Sequence, residues 1–232
     1  MIENTKLSLP QPHTAEEVYQ SLLRSIIEFR LEPGERISEN QIAQQYNVSR
    51  SVIRTAFTRL RQLRLIEIFP QRGTYISLID LNYISDLLML RTAVEKEVIY
   101  EMFTSLKEED RQSLIAKLEA NLAEQEKFRN EQDYYGKFPQ IDSDFHKTMI
   151  DSVGRRGLIE LLDDDMLHIA RWRNFDIAFD HKIPQLIEQH RAIVDAIKAE
   201  NMLLAQKKMG DHLERISHLA DRAKAKYPNY FK

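Results

Sequence analysis

Near the start of the chain, apolar residues fall at helical spacing. Val18, Leu22, Ile26 and Phe29, with Leu23 and Ile27 beside them, leave polar side chains on the opposite face. The stripe predicts a helix from about Thr14 to Phe29, and Thr14 with Glu17 three residues on supplies a capping box. Pro33-Gly34 closes this unit with a turn. A short helix follows through Ile42, Ala43 and Tyr46, capped by Ser38 and ended by Asn47, a residue that tolerates the left-handed conformation. Ser49 caps a third helix, with Val52, Ile53, Phe57 and Leu60 turned inward. At Ile66-Glu67-Ile68-Phe69 the period changes to two, Pro70-Gln71-Arg72-Gly73 forms a turn, and Thr74-Tyr75-Ile76-Ser77 returns as a second strand. Three helices and a two-stranded hairpin make a winged helix-turn-helix over residues 1–78.

Beyond residue 78, strand alternation disappears and helical periodicity dominates. The pattern predicts an all-α bundle of about six helices over residues 79–232: 80–105, 108–129, 132–152, 156–175, 183–199 and 201–226. Gly136 just before Pro139 allows a bend or a later start in the third of these, and Pro184 stands in the first turn of the fifth. The fold class is therefore mainly α, a winged helix-turn-helix followed by a helical bundle. The link near Leu78 to Leu81 is short and poor in Gly and Ser, so the two domains are expected to be coupled.

Charge changes the picture. The net charge of −3 divides into ten Lys+Arg against eight Asp+Glu in residues 1–77 and twenty-three against twenty-eight in the rest, or +2 and −5. A chain that bound nucleic acid along its whole length would not divide this way, but one terminal module could. Residues 49–72 hold six arginines against one acid, Glu67, and no lysine occurs between Lys6 and Lys96. Arg50 and Arg54 stand one turn apart on one face of the third helix, where guanidinium forks can read guanine edges. Ser49, Ser51 and the helix N-terminus suit phosphate. Ser38 and Asn40 on the preceding helix, and Arg72 and Gly73 at the hairpin tip, complete the candidate DNA-contacting set. One exposed arginine is ordinary; the ordered set together with a wing is the signal.

The chain has no cysteine, which excludes disulfides and thiolate metal sites. No apolar run is long enough to span a membrane, and the first eleven residues lack a signal peptide's apolar core. A cytoplasmic location is expected.

A second set of residues carries possible metal chemistry. Asp142 and His146 are four apart and share a helix face. His190 lies on the inward face with Leu186, Ile187, Ile193, Val194 and Ile197, and His212 sits among Met209, Leu213, Ile216 and Leu219. Three histidines and an aspartate pointing into one bundle could make a mixed nitrogen and oxygen site. Taken singly, each histidine reads more simply as a hydrogen-bonded core residue. His13, His168, His181 and His218 are read that way, with His168 also a candidate to line the same cavity.

The stretch from Tyr19 to Ile76 resembles the DNA-binding module of GntR-type bacterial transcription regulators. The matching residues are Leu31-Glu32-Pro33-Gly34, Ser38-Glu39, Ile42-Ala43, Val48-Ser49-Arg50, Arg54, Leu60 and Pro70-Gln71-Arg72-Gly73-Thr74-Tyr75. Ser51-Val52 replaces the usual Thr-Pro, Thr55-Ala56 the usual Glu-Ala, and Arg64 a glycine usual near the end of the recognition helix. Asp142-Ser143-Asp144-Phe145-His146, Glu188-Gln189-His190 with Ala196-Ile197, and Ala205, Met209 and His212-Leu213 resemble the metal-binding branch of the FadR-type (FCD) ligand-binding domain. So does the Leu90-Arg91…Glu95 pattern, and the ending Tyr227-Pro228-Asn229-Tyr230-Phe231 occurs in relatives.

The resemblance implies a divalent metal (Zn, Ni, Mn or Fe) on Asp142, His146, His190 and His212. It also implies a small carboxylate or sugar-acid effector, for which Arg91, Arg171 and Arg173 are candidate partners and Trp172 a candidate wall. The expected function is an effector-responsive regulator, read as a repressor, forming a homodimer on double-stranded operator DNA. One alternative is a metal sensor in which the ion is the signal. A metalloenzyme is a third reading, but no His-Glu-x-x-His, Gly-rich phosphate loop or nucleophile motif supports it.

Overall fold

A computed structural model describes residues 14–131, 136–180, 183–214 and 220–232, with the side chains of 176–180 and 220–222 outside the description. The readings made for His13, His181, Ile216, His218 and Leu219 fall outside the described residues. The chain divides into two compact units, Met1–Leu78 and Ile79–Lys232.

In the first unit, α1 (Ala15–Ile27) starts with the expected capping box: Glu17 N donates to Thr14 Oγ1 at 3.2 Å and Thr14 N to Glu17 Oε2 at 2.8 Å. Its buried stripe, Val18, Leu22 and Ile26, forms one core with Ile53, Phe57 and Leu60 of α3 (Arg50–Gln62). Between them, α2 (Glu39–Tyr46) contributes Ile42 and Tyr46 and ends on Asn47 at φ 51°. Ser38 and Ser49 both occupy N-cap positions, but neither hydroxyl accepts a helix amide; Ser49 Oγ lies 2.7 Å from Ser51 Oγ instead.

The wing has three strands rather than two. β1 (Arg36–Ile37) pairs antiparallel with β3 (Gly73–Ile76), which also pairs with β2 (Ile66–Phe69), giving the order β1-β3-β2. A two-residue strand is too short to carry an alternation signal, so the pattern did not reveal β1. Gly73 has φ 116°, and a Cβ there would stand 2.9 Å from Arg36 Nε, so its place in the wing is one of backbone geometry.

The second unit is helical: α4 (Leu81–Ser105), α5 (Glu108–Glu126), α6 (Phe138–Ser152), α7 (Arg156–Asp180), α8 (Ile183–Lys198), α9 (Met202–Glu214) and α10 (Ala220–Lys226). α6 begins only at Phe138 with Pro139 in its first turn, and α7 runs past the predicted end at 175. Asp80 caps α4 by accepting from Asn82 N and Tyr83 N, each at 3.1 Å. The core gathers Ile99 and Met102, Leu118, Phe145 and Met149, Ile193 and Ile197, and Met209 and Leu213 from five helices. The C-terminal residues return to the start of the unit. Ile79 N donates to Tyr230 O at 2.8 Å and Lys232 N to Ile79 O at 3.1 Å, while Phe231 packs edge-on against Trp172 and Phe175.

Arg64, at the position where the resembling family has glycine, has φ 57°. A side chain in the left-handed region costs roughly 1–2 kcal/mol, partly offset by the greater unfolded-state freedom of glycine. Arg64→Gly should therefore stabilise the first unit by about 0.5–1 kcal/mol, read as a higher urea midpoint at unchanged slope. A lower midpoint would mean that the arginine side chain contributes more than its backbone costs.

Candidate functional sites

On the first unit, α3 presents Arg50 and Arg54 to solvent, with 57% and 62% of their side-chain surfaces exposed. Both reach back to one carboxylate oxygen of Glu39 at the start of α2: Arg50 Nη2 at 3.2 Å and Arg54 Nε at 3.0 Å. Surface pairs of this kind are worth at most about 1 kcal/mol each, so they orient the guanidinium groups without locking them. Glu39 was not anticipated in this role, because the contact crosses between helices. Asn40, Ser49 and Ser51 are exposed beside these arginines, and Ser38 is half-buried. Arg72 stands exposed at the wing tip and its carbonyl accepts from Tyr75 Oη at 3.1 Å. Arg59 has a different task. It pairs with Glu16 and lies 3.6 Å from the centroid of the Tyr19 ring, fastening α3 to α1.

In the second unit, His146, His190 and His212 are buried and come together from α6, α8 and α9, while Asp142, also buried and predicted as the fourth member, stands beside His190 outside the close group of three. Candidate ligand atoms of the three histidines lie within 4.8 Å of one another, and His190 Nε2 stands 3.6 Å from Asp142 Oδ1. His146 Nε2 and His212 Nε2 are 3.3 Å apart. Each outward ring nitrogen has an oxygen acceptor. His146 Nδ1 donates to Glu95 Oε2 at 2.5 Å, His190 Nδ1 to Gln125 Oε1 at 2.8 Å, and His212 Nδ1 to Gln189 Oε1 at 3.0 Å. An oxygen acceptor on Nδ1 leaves the lone pair of a neutral ring on Nε2.

Ionisation states agree with this geometry. Burial drives the His190 ring down to about 3, with the Asp142 carboxylate only partly opposing it. Burial also lowers His212, helped by the two neighbouring rings, and lowers His146 against the opposing pull of Glu95. All three rings are thus neutral near pH 7. Burial disfavours ionised Glu95, but His146 and Arg91 beside it outweigh that and hold its carboxyl at about 2. Burial likewise opposes ionised Asp142, and the Arg173 guanidinium then carries it well below the ordinary carboxylate range.

These residues fit a metal ion. Among the described residues, His190 Nε2 is buried without a hydrogen-bond partner, and two imidazole lone pairs 3.3 Å apart would repel unless a proton or a metal ion lay between them. The donor set, three neutral imidazoles and a carboxylate with partners behind them, suits a divalent transition ion.

A cavity of about 110 Å³ opens onto Asp142 and His146, walled by apolar residues including Ile150, Leu162 and Ile169. Arg91 and Arg173 line it, while Arg171 and Trp172 do not. Arg171 is buried, which pushes its guanidinium down to about 10. Trp172 stacks on Phe175 at 5.7 Å, on the side that meets the C-terminal residues. Adjacent positions on a helix point about 100° apart, so residues 171–173 could not all share one pocket. His168 also stands outside the lining, edge-on to Tyr83 at 5.2 Å. Gln125 and Gln189 were not anticipated in these roles: the first lies on a helix that carries none of the predicted site residues, and the second is only a chain neighbour of His190.

Comparison with known proteins places both units. Residues 14–76 match the family model described as bacterial regulatory proteins, gntR family, and residues 86–215 match the FCD domain. The chain is 27% identical to the HTH-type transcriptional repressor RspR of Escherichia coli K12, over 100% of this chain and 99% of that protein. It is 26% identical to the HTH-type transcriptional regulator YdhC of Bacillus subtilis, over 96% and 99%. Among solved structures, Escherichia coli McbR/YncC superposes with a TM-score of 0.64 at 15% identity, covering 91% of this chain and 99% of that one. A GntR-type regulator from Rhodococcus sp. RHA1 gives 0.64 at 22% identity, covering 90% and 98%. The structural likenesses carry the fold. The FCD match spans more than half of the chain and the gntR match the helix-turn-helix before it, so this protein belongs to the GntR family of DNA-binding transcriptional regulators, in its FCD-domain, FadR-like branch.

Proposed function

We propose that the protein is an effector-responsive repressor whose helical unit holds a divalent metal on Asp142, His146, His190 and His212 and takes a small organic acid in the adjoining cavity. The observation that carries this reading is the convergence of three Nε2 lone pairs, each backed by an oxygen acceptor on Nδ1. A repressor role accords with the name of the relative RspR.

The cavity's charges favour an anion only when the metal is present. Its charged lining forms three pairs: Arg91 with Glu95, Arg173 with Asp142, and Lys147 with Asp163. These cancel. A bound divalent ion would supply the net positive charge that an organic acid needs there. The volume of about 110 Å³ is well below the range of drug-sized sites, which suits a compact acid rather than a long acyl chain.

Arg50 and Arg54 would enter the operator's major groove, exchanging Glu39 for base edges and phosphates, while Arg72 follows the backbone from the wing. Two copies related by a two-fold axis would read a palindromic operator. Met89 and Leu90 on α4 and Leu203 and Leu204 on α9, exposed on helices that pack together, support a face for the second copy.

Three outcomes are expected. Arg54→Ala should weaken specific operator binding by roughly tenfold to a hundredfold at fixed salt while leaving circular dichroism unchanged; retained specific affinity in fluorescence anisotropy would remove Arg54 from the reading surface. His190→Ala should lose stoichiometric metal and effector response but keep operator binding, and unchanged metal content by mass spectrometry would reject the site. Calorimetry against a panel of small organic acids should give heat only with metal-loaded protein. Equal binding by chelator-treated protein would refute the charge argument.

A further inference from the structure

We propose that Asn121 and Gln125 are positioning residues: a one-way chain of hydrogen bonds from the Ile141 carbonyl to His190 fixes that ring with its proton on Nδ1 and its lone pair toward the other ligands. The proposal rests on the metal reading for its purpose, but the tautomer itself can be measured without a metal.

Both residues lie on α5, one turn apart, and α5 contributes no ligand. Asn121 Nδ2 donates to the Ile141 carbonyl at 2.9 Å. A backbone carbonyl can only accept, so the Asn121 amide cannot turn over without losing this bond. Its oxygen therefore faces Gln125, whose Nε2 donates to it at 2.7 Å. That leaves Gln125 Oε1 toward His190 Nδ1, at 2.8 Å. An amide oxygen accepts, so the ring nitrogen facing it must carry the proton. Nε2 is then the lone-pair nitrogen, one of the buried atoms without a hydrogen-bond partner among the described residues, 3.6 Å from Asp142 Oδ1.

The reversed arrangement is disfavoured by the same atoms. A flipped Gln125 would set its oxygen against Asn121 Oδ1 and its amide against His190 Nδ1. His190 would then carry its proton on Nε2, aimed into the ligand cluster. Gln125 is 0% exposed, so water cannot reach its oxygen to repair the mismatch with Asn121 Oδ1. Ile141 immediately precedes Asp142 on α6, so one chain of bonds anchors both the His190 ring and the turn that carries the carboxylate ligand.

The test uses the full chain and zinc(II) alone. Long-range proton–nitrogen NMR of the metal-free protein, labelled with ¹⁵N-histidine, should show His190 with its proton on Nδ1. Gln125→Leu removes the acceptor at similar volume. It should shift the ring-nitrogen signals toward a mixture of tautomers and weaken zinc binding by about tenfold to a hundredfold, measured by chelator competition. Gln125→Glu keeps an acceptor toward Nδ1 and should keep the Nδ1 proton, although its second oxygen loses the bond to Asn121 Oδ1 and the variant should be less stable than the parent. An Nε2 proton on His190 in the parent protein would overturn the proposal, whether or not either variant folds. So would a folded Gln125→Leu protein with parental ring signals and affinity. A parent with the expected tautomer that takes up no zinc would sink the metal reading and leave the tautomer assignment standing.

Discussion

One electrostatic constraint stands out in the second unit: three histidine rings are held close together inside an apolar core, with the Asp142 carboxylate beside His190, where facing lone pairs would repel. Such an arrangement persists only if each group is fixed from behind. The fixing residues come from all around the bundle: Glu95 from α4, Gln125 from α5, Arg173 from α7 and Gln189 from α8. With Asp142 and the three histidines on α6, α8 and α9, six helices meet at one point. An ion bound there would contribute to folding directly, because the unfolded chain has no comparable arrangement to offer.

The same geometry relates the site to the junction before α4. α7 carries Arg173 to Asp142 on one face and Trp172 to Phe231 on another. Phe231 lies in the segment that pairs with Ile79, the first residue of the second unit. A shift of α7 would therefore act on the packed aromatic rings around Phe231. Tight packing transmits such shifts because rings of this size have no slack volume around them.

The sequence carried the periodic part of this molecule and little of its pairwise part. Asp142 and His146 were recoverable because one helical turn puts them on one face. His190 and His212 were recoverable because each interrupts an apolar stripe. The arginines of α3 were visible as a charge concentration. Glu39, Gln125 and Gln189 were not, because their roles depend on which helix packs beside which, and no spacing along the chain encodes that. The same holds for β1 and for the C-terminal pairing with Ile79, both made by residues distant in sequence. Trp172 was misplaced for a related reason: three consecutive helical residues cannot all face one cavity. Arg64 gave the opposite lesson, since a departure from the family's glycine marked a backbone position whose left-handed geometry the chain has kept.

The two units use charge in opposite ways, and burial decides which. Arg50 and Arg54 are held in water by a shared carboxylate, at energies that phosphate or a base edge can exceed. They can change partners quickly, as searching along a duplex requires. Arg91 and Arg173 are buried against Glu95 and Asp142, where breaking a pair without replacement would strand a charge in a medium that cannot solvate it. Those pairs can rearrange only when another charge arrives, and the adjoining cavity admits only compact ligands. An exposed surface that exchanges partners freely suits a reader of DNA, whereas the interior pairs are fixed by burial, and in this chain the two fall in separate units.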